Sequence, residues 1–109
     1  MEMRECYARE QARVTAEADS LAEKIAAEAR KEAQDPAAQG VVADTLRKAA
    51  AAVTSSQTTW KIYRDQHCSA VEYSWTTGSG AGSAYEVCMF ELGQVRLREL
   101  RSAFDSFLH

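Results

Sequence analysis

Trp60, Arg64 and either His67 or Cys68 follow one another at steps of three and four in the segment Gln-Thr-Thr-Trp-Lys-Ile-Tyr-Arg-Asp-Gln-His-Cys, residues 57–68. At that spacing one face of a helix carries an indole, a guanidinium and a thiol. A guanidinium on an inward face needs a carboxylate or backbone carbonyls beside it, because an unpaired buried charge is strongly destabilising. The thiol has a partner within reach: Cys88 lies beyond a Gly/Ser-rich stretch and can be brought back against Cys68, clamping two helices together. Closing a loop around the nineteen residues between them would stabilise the fold by about 3 kcal/mol. Two reduced, buried thiols are the alternative. His67 adjoins Cys68, but no paired Cys-x-x-Cys or His-x-x-x-His spacing completes a tetrahedral metal set.

Other chemistries fit less well. Asp65, Glu72 and Glu86 flank the Gly/Ser-rich stretch and could be taken for the carboxylate pair of a glycosidase. Acids are plentiful, though, and nothing in the sequence supplies a cleft between two of them, so a solvated face is expected. No Ser/His/Asp order or strand-turn-helix elbow is present for nucleophilic catalysis. Gly78-Ser79-Gly80-Ala81-Gly82-Ser83 precedes a helix start, as a phosphate-cradling loop does, but lacks the preceding strand and the lysine. The expectation is a protein that is not an enzyme and has no cofactor. A mobile surface connection is the plain alternative for the loop. The sharper one is a protruding tip, in which Ser79, Gly80, Ser83 and Tyr85, with Trp75 beside them, offer hydroxyls, aromatics and close backbone approach to a sugar-binding cleft.

The elements that must hold these residues are helices. From Met3 to about Gln34, Tyr7, Val14 and Leu21 recur at seven with Ala18 and Ile25 on the same face, and charged residues fill the other side. Pro36 disfavours the helical conformation at Asp35, so the first helix stops there. Val42, Leu46, Ala49, Val53, Gln57, Trp60, Arg64 and Val71 then set a second stripe. Its run from Ala49 to Ala52 favours helix but offers little bulk, so the first helix can come close. Ser83 with Glu86 three residues on reads as a capping box opening a third helix. That helix carries Tyr85, Cys88, Met89, Leu92, Val95, Arg96, Leu100, Ala103 and Phe107 and frays near His109. Phe104, Phe107 and Leu108 form a terminal apolar cluster suited to core or dimer contact. The fold class is all-α: a three-helix bundle or a long antiparallel hairpin with a third helix, stapled by a disulfide, in one domain spanning 1–109.

Composition narrows the function classes. The 109 residues are 46% hydrophobic and 27% charged, which is globular and not disordered. Twenty residues are alanine, so the core rests on few large side chains and gains from a staple. The net charge is −3, with nine acids against six bases in residues 1–35 and seven of each beyond. No basic stripe for a nucleic acid is present, whereas a basic protein partner fits. No apolar run of membrane-spanning length occurs. Met1 is followed at once by a charged amphipathic helix and not by a secretory signal, so export would imply a mature chain whose leader or anchor lies outside it. Three cysteines suggest an oxidising compartment, with one pair and Cys6 left over.

The located residues resemble the LprI-type lysozyme-inhibitor domain, a family of small exported bacterial helical proteins. The family opens on Glu-Met-x-x-Cys, matched by Glu2, Met3 and Cys6, and continues with an Ala/Asp/Leu segment, matched by Ala16, Ala18, Asp19 and Leu21. Its core is matched by Gln57, Trp60, Tyr63, Arg64, Asp65 and Cys68, and its end by Cys88 with Arg96 eight residues on. The match covers nearly the whole chain. Ala22 stands where the family usually has Asn and Ile25 where it usually has Tyr, which puts in question any partner contact made there. Asp19 lies beside the Ala18/Leu21 stripe and is expected to pair with Arg64, unless Asp65 and Glu72 satisfy the guanidinium locally. The resemblance implies a periplasmic, secreted or envelope-anchored binding protein that inhibits lysozyme or a related peptidoglycan hydrolase by occluding its cleft. The alternative is a non-catalytic structural or assembly module of the cell envelope, dimerising through its alanine-rich helices.

Overall fold

A computed structural model describes residues 2–75 and 80–109. Three helices fill it: α1 from Glu2 to Ala33, α2 from Val41 to Ser74 and α3 from Ala81 to Ala103, followed by a 3₁₀ turn at Asp105–Phe107. At about 1.5 Å per residue, the longest helix accounts for most of the 59 Å length of a rod only 21 by 16 Å across. The contacts fix the directions. Arg4 lies on Gly82 and Val14 on Gly93, so α1 and α3 run parallel; Asp19 meets Gln57 and Thr15 meets Arg64, so α2 runs against α1. The topology is therefore an up-down-up bundle, and of the two arrangements expected the open hairpin is excluded. No described helix is long and apolar enough to cross a membrane.

The turn between α1 and α2 follows from local chemistry. Gln34 and Asp35 donate their N–H groups to the carbonyls of Lys31 and Glu32, tightening the last turn of α1, and Asp35 Oδ1 then accepts the N–H of Ala37 at 2.8 Å. Gly40 closes the connection at φ 59° and ψ −124°, a backbone conformation that side-chain-bearing residues rarely adopt. Among the described residues no atom lies within 4 Å of where its Cβ would stand, so the dihedral is what calls for glycine there.

Small residues make up much of the core. Ala18, Ala22, Ala26, Ala29 and Ala33 of α1 are buried against Ala43, Ala50 and Val53 of α2, and Ile25, Leu100, Val14 and Cys68 are the largest side chains fully enclosed. Ala22 and Ile25, the two departures from the family pattern, both point inward. Neither can touch a partner directly. Phe104, Phe107 and Leu108 fold back onto the bundle, Phe107 closing over the Ala26, Ala29 and Ala50 patch, so the terminal cluster belongs to the core.

Three expectations need correction. Val42 is 58% exposed and Ala43 takes the inward position, because the stripe is set by the register with α1 and not by side-chain size. On α3, Val95 and Ala103 face solvent while Gly93 and Leu97 are buried. A Cβ at Gly93 would fall 2.6 Å from Cγ1 of Val14, so an absent side chain brings α1 and α3 together. Helix α3 also ends at Ala103 and not beyond Phe107, since Phe104 leaves the helical conformation at φ −121° and ψ 28° and a 3₁₀ turn then sets Phe107 against Ala26 and Ala29 of α1.

Candidate functional site

The polar motif of α2 is assembled by all three helices. Gln57 is buried and uses both ends of its amide: Nε2 donates to Asp19 Oδ1 of α1 at 2.9 Å, and Oε1 accepts from Arg96 Nε of α3 at 2.8 Å. Arg96 also donates to Ser56 Oγ at 3.0 Å and to Glu99 Oε1 at 2.6 Å. Arg64 donates to Thr15 Oγ1 at 2.6 Å and, through Nε and Nη2, to Asp65 Oδ1 at 3.0 and 2.8 Å. The two arginine side chains are only 7% and 8% exposed, and partners on neighbouring helices and neighbouring turns meet the requirement for compensated charge. Trp60 lies between them, its ring centre 5.1 Å from the Arg64 guanidinium carbon and 5.9 Å from that of Arg96. Both distances fall within cation–π range.

The expected Asp19–Arg64 pair is not formed. Asp19 instead binds Gln57 and the Lys61 ammonium, with Nζ 3.1 Å from its carboxylate. The antiparallel register sets Arg64 opposite Thr15, one turn before Asp19, and Asp65 supplies the carboxylate. Tyr63 lies on the surface, 53% exposed and stacked on His67 at 5.5 Å. With their donors and acceptors engaged across α1, α2 and α3, Gln57, Arg64 and Arg96 position the helices.

The disulfide expected between Cys68 and Cys88 is present, with Cα atoms 5.6 Å apart, and Cys6 is free and exposed. The bridge ties α2 to α3 close to where one passes into the other. There Trp75 caps α2 with its backbone N–H donated to Glu72 O, and its ring lies over Gly80, where an added Cβ would sit 2.6 Å from Cζ3. Trp75 remains 49% exposed. Ser79 falls outside the described residues. Ser83 does not open α3: the helix starts at Ala81 after Gly80 with no side-chain cap, because Ser83 is already in the first turn. The capping box is thus not made, and Glu86 leaves one buried carboxylate oxygen without a hydrogen-bond partner among the described residues.

Trp75, Gly80 and Ser83 share one wall system, an open groove of 590 Å³ between α2 and α3 completed by His67, Val71, Val87, Glu91 and Leu92. Tyr85 is not part of it. Its phenol is held above the ordinary 10.0 first by burial and then by the nearby Asp65 and Glu86 carboxylates. The five residues expected to form one tip therefore divide, three to the groove, one to an acidic flank and one beyond description. The groove itself was missed at sequence level. Its signal is nonetheless present, in the i, i+4, i+8 spacing of His67, Val71 and Trp75 along α2.

A family model described as Lysozyme inhibitor LprI matches residues 1–100. Neither the curated proteins nor the solved structures contain a match to the chain. A match across the helices, the bridged cysteines and the Gln57–Arg96 network leaves one conclusion: the chain belongs to the LprI family of lysozyme inhibitors, a non-catalytic family.

Proposed function

We propose that the protein is an exported binding protein that inhibits lysozyme, or a related peptidoglycan hydrolase, by occluding its substrate cleft, with residues 1–109 acting as one domain. The observation that carries this is the half-exposed Trp75, seated on Gly80 beside the Cys68–Cys88 bridge. An aromatic side chain held rigidly at one end of a narrow rod loses little conformational freedom on docking, the property of an interface anchor. The bridge also suits an oxidising compartment, the periplasm or the cell exterior.

A turbidity assay of peptidoglycan lysis, run with a basic animal-type lysozyme and increasing inhibitor, tests the reading. Saturable inhibition at stoichiometric excess is expected. Undiminished lysis, together with a stable dimer in sedimentation, would transfer the protein to the second class, a structural module of the envelope.

A further inference from the structure

Between Asp65 and Val95 the chain has four acids, Asp65, Glu72, Glu86 and Glu91, and no lysine or arginine. The remaining residues hold thirteen bases and twelve acids, so this stretch accounts for more than the whole net charge of −3. It is the stretch that forms the disulfide-bearing end of α2 and α3. Asp65 is engaged by Arg64, whereas Glu72 and Glu91 take part in no ion pair among the described residues. Glu91 stands on the wall of the α2–α3 groove, facing the same space as Trp75, Val71, Val87 and Leu92.

From this juxtaposition we infer that the groove is an acceptor for an arginine or lysine side chain presented by the basic surface of the target enzyme. The inference rests on the inhibitor reading for the identity of the target, and on the groove alone for the chemistry. The Trp75 ring, supported from beneath by Gly80, offers a π face to a guanidinium or ammonium. The Glu91 carboxylate supplies the opposite charge, and a charge-assisted hydrogen bond to it would be among the stronger contacts such a surface can make. Val71, Val87 and Leu92 match the aliphatic stem that a long cationic side chain lays along apolar surface. At this end α1 adds the Arg4 guanidinium, laid against Gly82, and the four acids of α2 and α3 outnumber it; that local excess steers a basic protein toward the groove and away from the mixed charges of the opposite end.

The test is a titration of isotope-labelled protein with a basic animal-type lysozyme, followed by backbone and indole amide shifts at low and high salt, with inhibition measured on the same samples. Shifts concentrated at Trp75 and residues 67–92, weakening with salt, are expected. Glu91→Lys and Trp75→Ala should each weaken binding on the order of tenfold or more. Glu23→Lys makes the same change of net charge on the α1–α2 face and should leave affinity within about twofold of the parent, apart from screening effects. Trp75 also caps α2, so Glu91→Lys, on an exposed side chain, is the decisive variant. Inhibition with shifts elsewhere, or unaffected by Glu91→Lys, would overturn the groove assignment and leave the inhibitor reading standing. Shifts in the groove without inhibition would support the assignment and overturn the inhibitor reading. Absence of both binding and inhibition would overturn both.

Discussion

Replacing Gln57 by alanine should cost far more than the loss of one polar side chain. Its amide donates to Asp19 and accepts from Arg96, so truncation removes two interhelical hydrogen bonds, one to a guanidinium only 8% exposed and one to a carboxylate that is 40% exposed and can turn to water. Asp19 keeps Lys61, and Arg96 keeps Ser56 and Glu99, so each charge loses a partner without being orphaned. Taking about 1.5–3 kcal/mol for the buried bond to Arg96 and about 0.5–1 kcal/mol for the bond to the solvent-facing Asp19, the expected loss is roughly 2–4 kcal/mol, a large share of the 5–15 kcal/mol typical of a whole domain. Urea denaturation should show a lower midpoint with an unchanged slope, because the same surface is exposed on unfolding. A loss under about 0.5 kcal/mol, the range of an ordinary surface substitution, would refute the claim that Gln57 couples the three helices. Gln57→Glu sharpens the test. Its carboxylate still accepts from Arg96 but is set against Asp19, so this variant should be unstable at neutral pH and recover part of the loss on acidification.

Three further outcomes follow from the geometry. In native, unreduced protein only Cys6 should alkylate, and Cys68→Ala with Cys88→Ala should cost about 3 kcal/mol, read by thermal denaturation beside the parent. Gly93→Ala sets a methyl 2.6 Å from the Val14 side chain and should destabilise by about 1–3 kcal/mol despite alanine's better helix propensity; adding Val14→Ala should recover part of that penalty in a double-mutant cycle. Tyr85, held above its ordinary value by burial, should ionise above that value in an ultraviolet titration of the parent compared with Tyr85→Phe. Its contribution to stability is complete below the unfolded value near 10 and is lost as pH rises through the higher folded value, and ionisation at or below the ordinary value would contradict its placement.

Helix existence and the first turn were legible because they rest on local signals. Apolar stripes at helical spacing and the stop at Pro36 specify two long helices and the break between them without reference to anything distant. The bridge was legible from spacing and composition. The partner of Arg64 was not, since one turn of sliding between α1 and α2 exchanges Asp19 for Thr15, and that register is decided by alanine packing along the whole interface. The role of Gly93 escaped notice for a related reason: a missing side chain carries no hydrophobic signal, and its value appears only once Val14 stands opposite. The end of α3 depended on Phe107 reaching Ala26 and Ala29, a contact across most of the chain. The acid-only stretch is masked in the sequence by the bases that flank it, Lys61, Arg64, Arg96 and Arg98, and stands out only once the helices set it at one end of the rod.

The chain has two indoles, and the bundle gives them separate duties as optical reporters. Trp60, lodged between two guanidinium groups, senses whether the helices are assembled. Trp75, half open to solvent at the far end, senses what arrives there. Substituting phenylalanine at one site or the other would therefore yield a pair of single-chromophore proteins, one whose emission follows denaturation and one whose emission follows capture of a partner, so the two processes can be timed independently in the same molecule.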